Sequence, residues 1–593
     1  MPARTPTVKT GTTDPGDSSQ AQFDQLQKKL VPLWKSIERF SQDPQTIVVV
    51  PSMSIDAIRS GAVMQAYEER FLFLLLLLRQ PRARLIYITS QAILPSIVDY
   101  YLDLLPGVIP SHARERLFLL SPLDGSVRPL SEKLLERPRL IERIRSLIID
   151  PDRAHLVPFN TTEREKELAL RLGIPMYGAD PKFFHFGTKS GARKIFMEEG
   201  VPHPLGCEDV GTREELIQAI ARMRAIKPSI KQVMVKLNEG VSGEGNAVID
   251  LSGLPVAGIG DAGGRDHRSR LQYAGSRPVA GIGDAGSLPV AGIGDAGSRP
   301  VAGIGDAGSR DHRSRLQLAG SRDHRSRLQL AGSLDHPSRV QLEERLRAMQ
   351  FESSKVTYDS YMEKLRERKG VVEERIVGEE LRSPSVQLRV TPLGAVELLS
   401  THDQLLGGPA GQSYLGCVFP ADPAYALLIT REAAKVGRRL AKEGVLGRFA
   451  LDFVVVRSRK GDWQPYAIEI NLRKGGTTHP FLTLQFLTDG SYDPETGIFT
   501  APNGQQKFFV ASDHVESPRY RVLTPDDLFD IAVRRNLHFN QTRQTGVVFH
   551  MMSALGELGR TGMTAVDNSP QEAKAMYHRA VAALDEETAN LAS

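Results

Sequence analysis

The sequence predicts an α/β protein on its N-terminal side that passes into an α+β unit and ends in a mixed segment. Three observations carry that expectation. Short apolar runs alternate with helix-like stretches over residues 23–180. A strand with one inner lysine runs into a glycine-rich turn and a second strand over 232–251. Two later strands, at 447–456 and 466–471, carry isolated acids inside apolar runs. At 593 residues the chain is too long for one core and has room for about three to five units.

Composition narrows the function classes. An apolar fraction of 41% with 24% charged residues is that of a globular protein, which excludes a wholly disordered chain, a collagen and a coiled-coil rod. The two cysteines, Cys207 and Cys417, exclude a disulfide scaffold and a four-cysteine metal cluster, and are read as structural or incidental. The most apolar run, Phe71–Leu78, sits between Arg70 and Arg79 and is far shorter than the roughly 20 residues a membrane span needs. The first residues are polar and lack an apolar signal core, so a cytoplasmic, reducing setting is expected.

The net charge of +5 has one source. Residues 254–339 hold twelve Arg, no Lys, eight Asp and no Glu, which supplies +4 of it. The remainder is nearly neutral, so nucleic acid is not an expected partner. That segment is a repeat array. RPVAGIGDAGS-type units begin at Leu254, Arg277, Leu288 and Arg299, and RDHRSRLQ-type units at Arg265, Arg310 and Arg322, with a decayed copy at Leu334. Each unit carries too little apolar surface to offset the entropy of ordering it. A disordered insertion is expected, either tolerated in a surface loop or serving as a basic tether for an anionic partner. Its histidines, His267, His312, His324 and His336, lack metal-ligand spacing.

Residues 1–22 read as a loose tail. From 23 to 180, strands at Thr46–Pro51, Arg84–Thr89, Leu117–Leu120 and His155–Phe159 alternate with helices reaching about Arg79, near Pro95–Leu105, over Ser131–Ile149 and over Thr161–Leu172. Such alternation means a parallel sheet with helices on its faces. The Leu-rich end of the first helix is expected to be buried between elements. No G-x-G-x-x-G or Walker lysine marks a phosphate site here.

The chemistry begins at Thr188, where Thr188-Lys189-Ser190 opens a helix ending near Glu198. Lys236 lies inside the strand Gln232–Leu237 and is followed by Glu239, Gly240, Ser242, Gly243, Gly245 and Asn246. A hairpin of this kind can close backbone N–H groups over phosphates, or be a plain turn. Gly370–Glu380 holds Glu373, Glu374, Ile376 and Glu380, a pattern also common on solvated edges. In an antiparallel pair of the two acid-bearing strands, Asp452, Glu469 and Asn471 share one face. Lone carboxylates in such runs are costly, and three oxygen ligands on one face suit magnesium with positions left for phosphates.

The ordered set resembles the ATP-grasp superfamily of carboxylate–amine ligases, from about Thr188 to Leu484 on either side of the repeat array. YEERFLFLLLLLRQPRARLIYITSQ, DYYLDLLPGVIPSHAR, VKLNEGVSGEGNAV and EINLRKGGTTHP are similar to blocks of the peptide ligases related to the pheganomycin-type enzyme. The resemblance implies an ATP-grasp fold: a preceding parallel-sheet domain at 23–180, an ATP-grasp domain at 181–510 with a lid at about 200–375, and a helical closing segment at 511–593. It implies that Lys189 and Lys236 contact ATP phosphates, that Glu239–Asn246 covers them, and that Glu373 and the backbone near Ile376 form the adenine hinge. Glu380 matches the ribose acid. Asp452, Glu469 and Asn471 match the ligands of one or two Mg2+ ions, with Mn2+ able to substitute. Arg473 and Gly475 match contacts to phosphate or the reacting carboxylate, and Arg448 matches the same role more loosely.

The implied activity is ATP-dependent joining of a small-molecule carboxylate to an amine, such as amino acids or peptides, through an acyl phosphate. A thiol or hydroxyl acceptor on the same fold, and a non-catalytic nucleotide-binding scaffold, are the alternatives. His550 reads either as a substrate contact or as a core histidine. The sequence carries no signal for oligomeric state.

Overall fold

The computed structural model describes residues 15–38, 44–54, 60–240, 245–254, 336–353, 356–408 and 411–589. The expected disordered array lies outside the described residues from 255 to 335, as does the expected tail from 1 to 14.

A four-stranded sheet opens the fold, in the order Leu117–Leu120, Ala83–Ile88, Gln45–Val50, Ala154–Pro158, with every pair parallel. The β-branched and leucine-rich runs fit strands buried on both faces. The helix Glu163–Leu172 starts at a capping box on Thr162 and ends at Gly173 with φ 72°. Two expectations are corrected here. The tail expected over 1–22 gives way at Pro15 to a helix, Pro15–Gln27, held because Phe23 is fully buried and Gln27 exchanges two hydrogen bonds with the Met176 backbone. The helix expected over 131–149 is two helices, Leu130–Leu135 and Pro138–Leu147, because Pro138 cannot continue the first.

The apolar run is a 3-10 helix, Arg70–Arg79, rather than the end of an α-helix. Seven of its eight apolar side chains are buried, in one cluster with Phe481, Phe509, Phe549 and Met563 from the C-terminal half. At about 1.5–3 kcal/mol for each large apolar side chain removed from water, this run is a main tie between the first sheet and the rest. Arg79 adds a two-pronged pair with Asp489 at 2.6 and 2.8 Å.

A five-stranded sheet, in the region expected to be a lid, has the order Gly206–Val210, Gly370–Glu374, Gln232–Leu237, Asn246–Asp250, Gln350–Phe351. The helix His336–Arg347 packs on it through Leu342 and Leu346, so the last repeat copy is helical from His336 onward.

The largest sheet has nine strands. Gly447–Arg457 pairs with both Pro384–Val390 and Trp463–Asn471, and the sheet continues through Val396–Gly407, Ser413–Phe419, Phe508–Glu516 and Arg560–Asp567 to Gly546–His550. Two of these strands, Pro384–Val390 and Val396–Gly407, show no clean alternation in sequence because Gln387, Arg389, Ser400, Thr401 and His402 occupy buried positions. The closing segment is mixed, as the fold class expects, and not helical from 511 throughout. Its boundary falls inside the strand Phe508–Glu516, disguised by Ser512, Asp513 and His514. Among the described residues no helix is long and apolar enough to cross a membrane.

Candidate active site

Asp452 and Glu469 are direct partners in the antiparallel ladder, and Asn471 pairs with Ala450 two positions along. All three side chains therefore leave the same face, as alternation requires. Asn471 Nδ2 donates to Asp452 Oδ2 at 2.9 Å and to Glu469 Oε1 at 3.0 Å, so the three side chains meet at one point. Gln404, on the strand Val396–Gly407, donates to Asp452 Oδ1 at 2.8 Å. Burial pushes the Asp452 carboxyl up, against the pull of Lys189 and Arg473.

Lys189 begins the helix Lys189–Glu198, whose N-cap Thr188 accepts from Gly191 N. Its ammonium contacts Glu469 Oε2. Burial first, and Lys236 second, push Lys189 down to about 7, while Asp452 and Glu373 act the other way. Lys236 is buried and paired with Glu373. Glu373 stands opposite Met234 in the ladder, so Lys236 is its neighbour on the same face. Arg193 also donates to Glu373, at 3.1 Å. Burial acts to raise the Glu373 carboxyl, and the two cations outweigh it and hold it below its usual range.

Two adjoining cavities run through this region. One, about 290 Å³, is lined by Lys189, Glu239, Gly240, Gly245, Asn471 and Arg473. The other, about 480 Å³, is lined by Lys189, Lys236, Asp452, Glu469, Asn471 and Arg473, and extends past Gly475 to Arg70, Asp513, His514 and Arg560. Asn238 anchors the start of the glycine-rich segment: its Oδ1 accepts from Ser190 N at 3.0 Å and its backbone O from Lys189 N at 3.3 Å. The segment is thus tied to the helix that carries Lys189.

The structure brings together Lys189, Lys236, Gly240, Gly245, Asp452, Glu469, Asn471, Arg473 and Gly475 along the larger cavity. Ser242 and Gly243 lie outside the described residues. Five of the expected residues, Glu373, Ile376, Glu380, Arg448 and Gly475, have partners or positions of their own within the chain. Glu373 is a buried partner of Lys236 and Arg193. Ile376 is half-buried in the connection leaving the five-stranded sheet, and Glu380 is taken by Arg382 at 2.9 Å and Arg457 at 3.2 Å at the edge of the large sheet. Neither lines the two cavities. Arg448 is on the Asp452 face of its strand but four residues away, about 13 Å at the usual rise, and also outside both linings. The Gly475 N–H donates to Thr478 Oγ1 at 3.0 Å. Gly476 is required for a different reason, since a Cβ there would meet the Tyr414 ring at 2.5 Å.

Sequence reasoning missed Gln404, Arg70, Asp513 and Lys474. Lys474 is buried and donates to Pro158 O at 2.6 Å, joining the acid strand's end to the first sheet. Arg70 had one signal, since Glu68, Glu69 and Arg70 lead directly into the apolar run and are all buried. His550 is a buried histidine that accepts or donates to Asp513 at 2.8 Å and does not line either cavity.

Residues 182–265 and 340–495 match the model of the IQCH-like ATP-grasp family, and 527–580 match the PGM1 C-terminal domain. The chain is 28% identical over 523 residues to the L-propargylglycine–L-glutamate ligase of Streptantibioticus cattleyicolor, covering 87% of this chain and 88% of that one. It is 22% identical over 502 residues to IQ motif-containing protein H of Danio rerio, of which it spans 42%. Among solved structures, biotin carboxylase from Campylobacter jejuni aligns at 12% identity with a TM-score of 0.46, covering 90% of each chain. The match to an ATP-grasp domain thus spans residues 182–265 and 340–495, the stretches that hold Lys189, Lys236, Asp452, Glu469 and Asn471.

Proposed function

We propose that this protein is an ATP- and Mg2+-dependent ligase that activates a carboxylate as an acyl phosphate and joins it to an amine, with amino acids or peptides as substrates. The observation that carries the reading is the meeting of Asp452, Glu469 and Asn471 at one point, beside Lys189 and Lys236, in a single cavity. The ligase relative, matched over most of both chains, supports the amino-acid class.

The side chains fit a hard divalent cation, because two carboxylates and an amide converge from directly paired strands. Such a cation supplies charge neutralisation to the triphosphate. In the chain alone, Lys189 provides that counter-charge to Glu469. Lys189 exchanges Glu469 for a phosphate oxygen when nucleotide enters, and its charge is strongest there because burial has removed competing water. Lys236 is held in place by Glu373 and serves as a fixed second cation. Arg473, at the junction of the two cavities, orients the reacting carboxylate. An acyl phosphate must be kept from water, which would destroy it. No nucleophilic side chain is needed: Cys417 is buried, its thiol pushed up to about 12 by burial.

The test is ADP release with Mg-ATP and pooled amino acids and short peptides, with and without hydroxylamine. Ligation predicts ADP together with a hydroxamate, both abolished in Asp452→Asn/Glu469→Gln. ADP without a hydroxamate in any pool would move the reading to a hydroxyl acceptor, and nucleotide binding without turnover in any pool to a scaffold.

A further inference from the structure

The larger cavity ends at Asp513, and beside Asp513 stand two histidines that the ligase reading does not use. His550 Nε2 lies 2.8 Å from Asp513 Oδ1. His479 Nε2 lies 3.1 Å from His550 Nε2 and 3.5 Å from Asp513 Oδ1. All three residues are 3–4% exposed. Ligands on a tetrahedral zinc ion with bonds of about 2.0–2.1 Å are separated by about 3.3 Å, so these atoms already stand at ligand spacing.

Protons do not satisfy the arrangement. With neither Nε2 protonated, three lone pairs face one point. With both protonated, two N–H groups oppose each other across 3.1 Å. With one, the proton serves the short Asp513 contact and leaves His479 Nε2 without a donor of its own. A divalent ion takes all three lone pairs at once.

The surroundings fit a built site. Asp513 Oδ2 is held by Arg70 at 2.5 Å, which leaves Oδ1 for the ion and supplies the outer partner that orients a ligating carboxylate. His550 closes the strand Gly546–His550, and Gly562 directly across the ladder leaves room for its imidazole, where any side chain would collide. His479 is in the first turn of the helix Thr478–Thr488, and Asp513 is in a central strand. Two imidazole nitrogens and one carboxylate oxygen favour the Zn2+ class over the hard, oxygen-preferring Mg2+.

We propose that His479 Nε2, His550 Nε2 and Asp513 Oδ1 bind one transition-metal ion of the Zn2+ class, at a site separate from the Asp452–Glu469–Asn471 set. Three protein ligands leave a fourth position, which a water molecule can take. The inference does not depend on the ligase reading.

The test uses the full chain, stripped with a chelator and titrated with Zn2+ or Co2+ alone, without nucleotide. About one equivalent per chain is expected to bind, with thermal stabilisation. Glu469→Gln leaves this unchanged, whereas His550→Gln and His479→Gln weaken it at least about tenfold. The Co2+ form of the wild-type chain shows mixed imidazole and oxygen ligation, a readout that needs no variant to fold. No stoichiometric binding, binding lost in Glu469→Gln but kept in the histidine variants, or an all-oxygen or thiolate Co2+ spectrum overturns the proposal.

Discussion

The two ends of the larger cavity hold opposite chemistries reached by opposite routes through the chain. At one end, Asp452, Glu469 and Asn471 come from two strands joined by a short turn and paired in register. At the other, Arg70 and Asp513 line the cavity and His479 and His550 are packed behind Asp513, the four coming from four elements spread over most of the chain. The first end is partly open and lined by acids facing lysines. The second is sealed, and its one carboxylate answers a guanidinium and two imidazoles. Local pairing lets a site remain open because the strands hold it without help. Assembly from distant elements needs burial, and burial makes the same residues part of the protein's stability.

That contrast gives the largest expected effect. Arg70→Ala leaves Asp513 buried without its ion pair and should cost about 3–5 kcal/mol in denaturant unfolding, whereas an Arg70→Met/Asp513→Leu double variant should recover much of it. Equal losses in the single and double variants would show that the pair does not bind the first sheet to the rest.

The acid end should break in activity before stability. Asp452→Asn or Glu469→Gln is expected to lower the rate of ADP release by roughly 10²–10³-fold, an amount typical of losing one group that meets developing charge, with the unfolding midpoint nearly unchanged. A large fall in stability would place these acids with the sealed end. Gln404→Leu sharpens the comparison by removing only the outer hydrogen bond to Asp452, and should weaken Mg2+ binding about 10–100-fold.

A smaller effect lies in the first sheet. Glu68 accepts from Ser90 N and Oγ, and burial pushes its carboxyl up to about 7. The fold therefore binds this proton more tightly than the unfolded chain does. The contribution is fully present below about 4.5, the unfolded value, and is lost as pH rises through about 7. Glu68→Gln should remove that decline between pH 4.5 and 7 in unfolding measurements. A variant with an identical pH profile would contradict the assignment.

Legibility in the sequence followed the same division. The parallel sheet, the lysine-bearing helix, the glycine-rich hairpin and the acid strands showed as local periodicity or as an acid where an apolar residue belonged. Asp452 and Glu469 were readable because both break an apolar run at positions that meet across one turn. The strands Pro384–Val390 and Val396–Gly407 were not, since buried Gln387, Arg389 and His402 erase the alternation that marks a strand. Glu373 and Glu380 were placed correctly in order along the chain but not in contact, because only the folded ladder shows that Lys236, Arg193 and Arg457 claim their carboxylates. His550 was singled out but its role was left open, and Asp513 gave no signal, as nothing local in VASDHVE or VVFHMM reveals a partner held by Arg70.

The most direct test of the central claim is ATP binding by calorimetry to the wild-type chain and to Asp452→Asn/Glu469→Gln, each with Mg2+ and with chelator. The account predicts that Mg2+ strengthens ATP binding to the wild type and has no effect on the double variant. Equal binding in all four conditions would contradict a cation site at Asp452, Glu469 and Asn471.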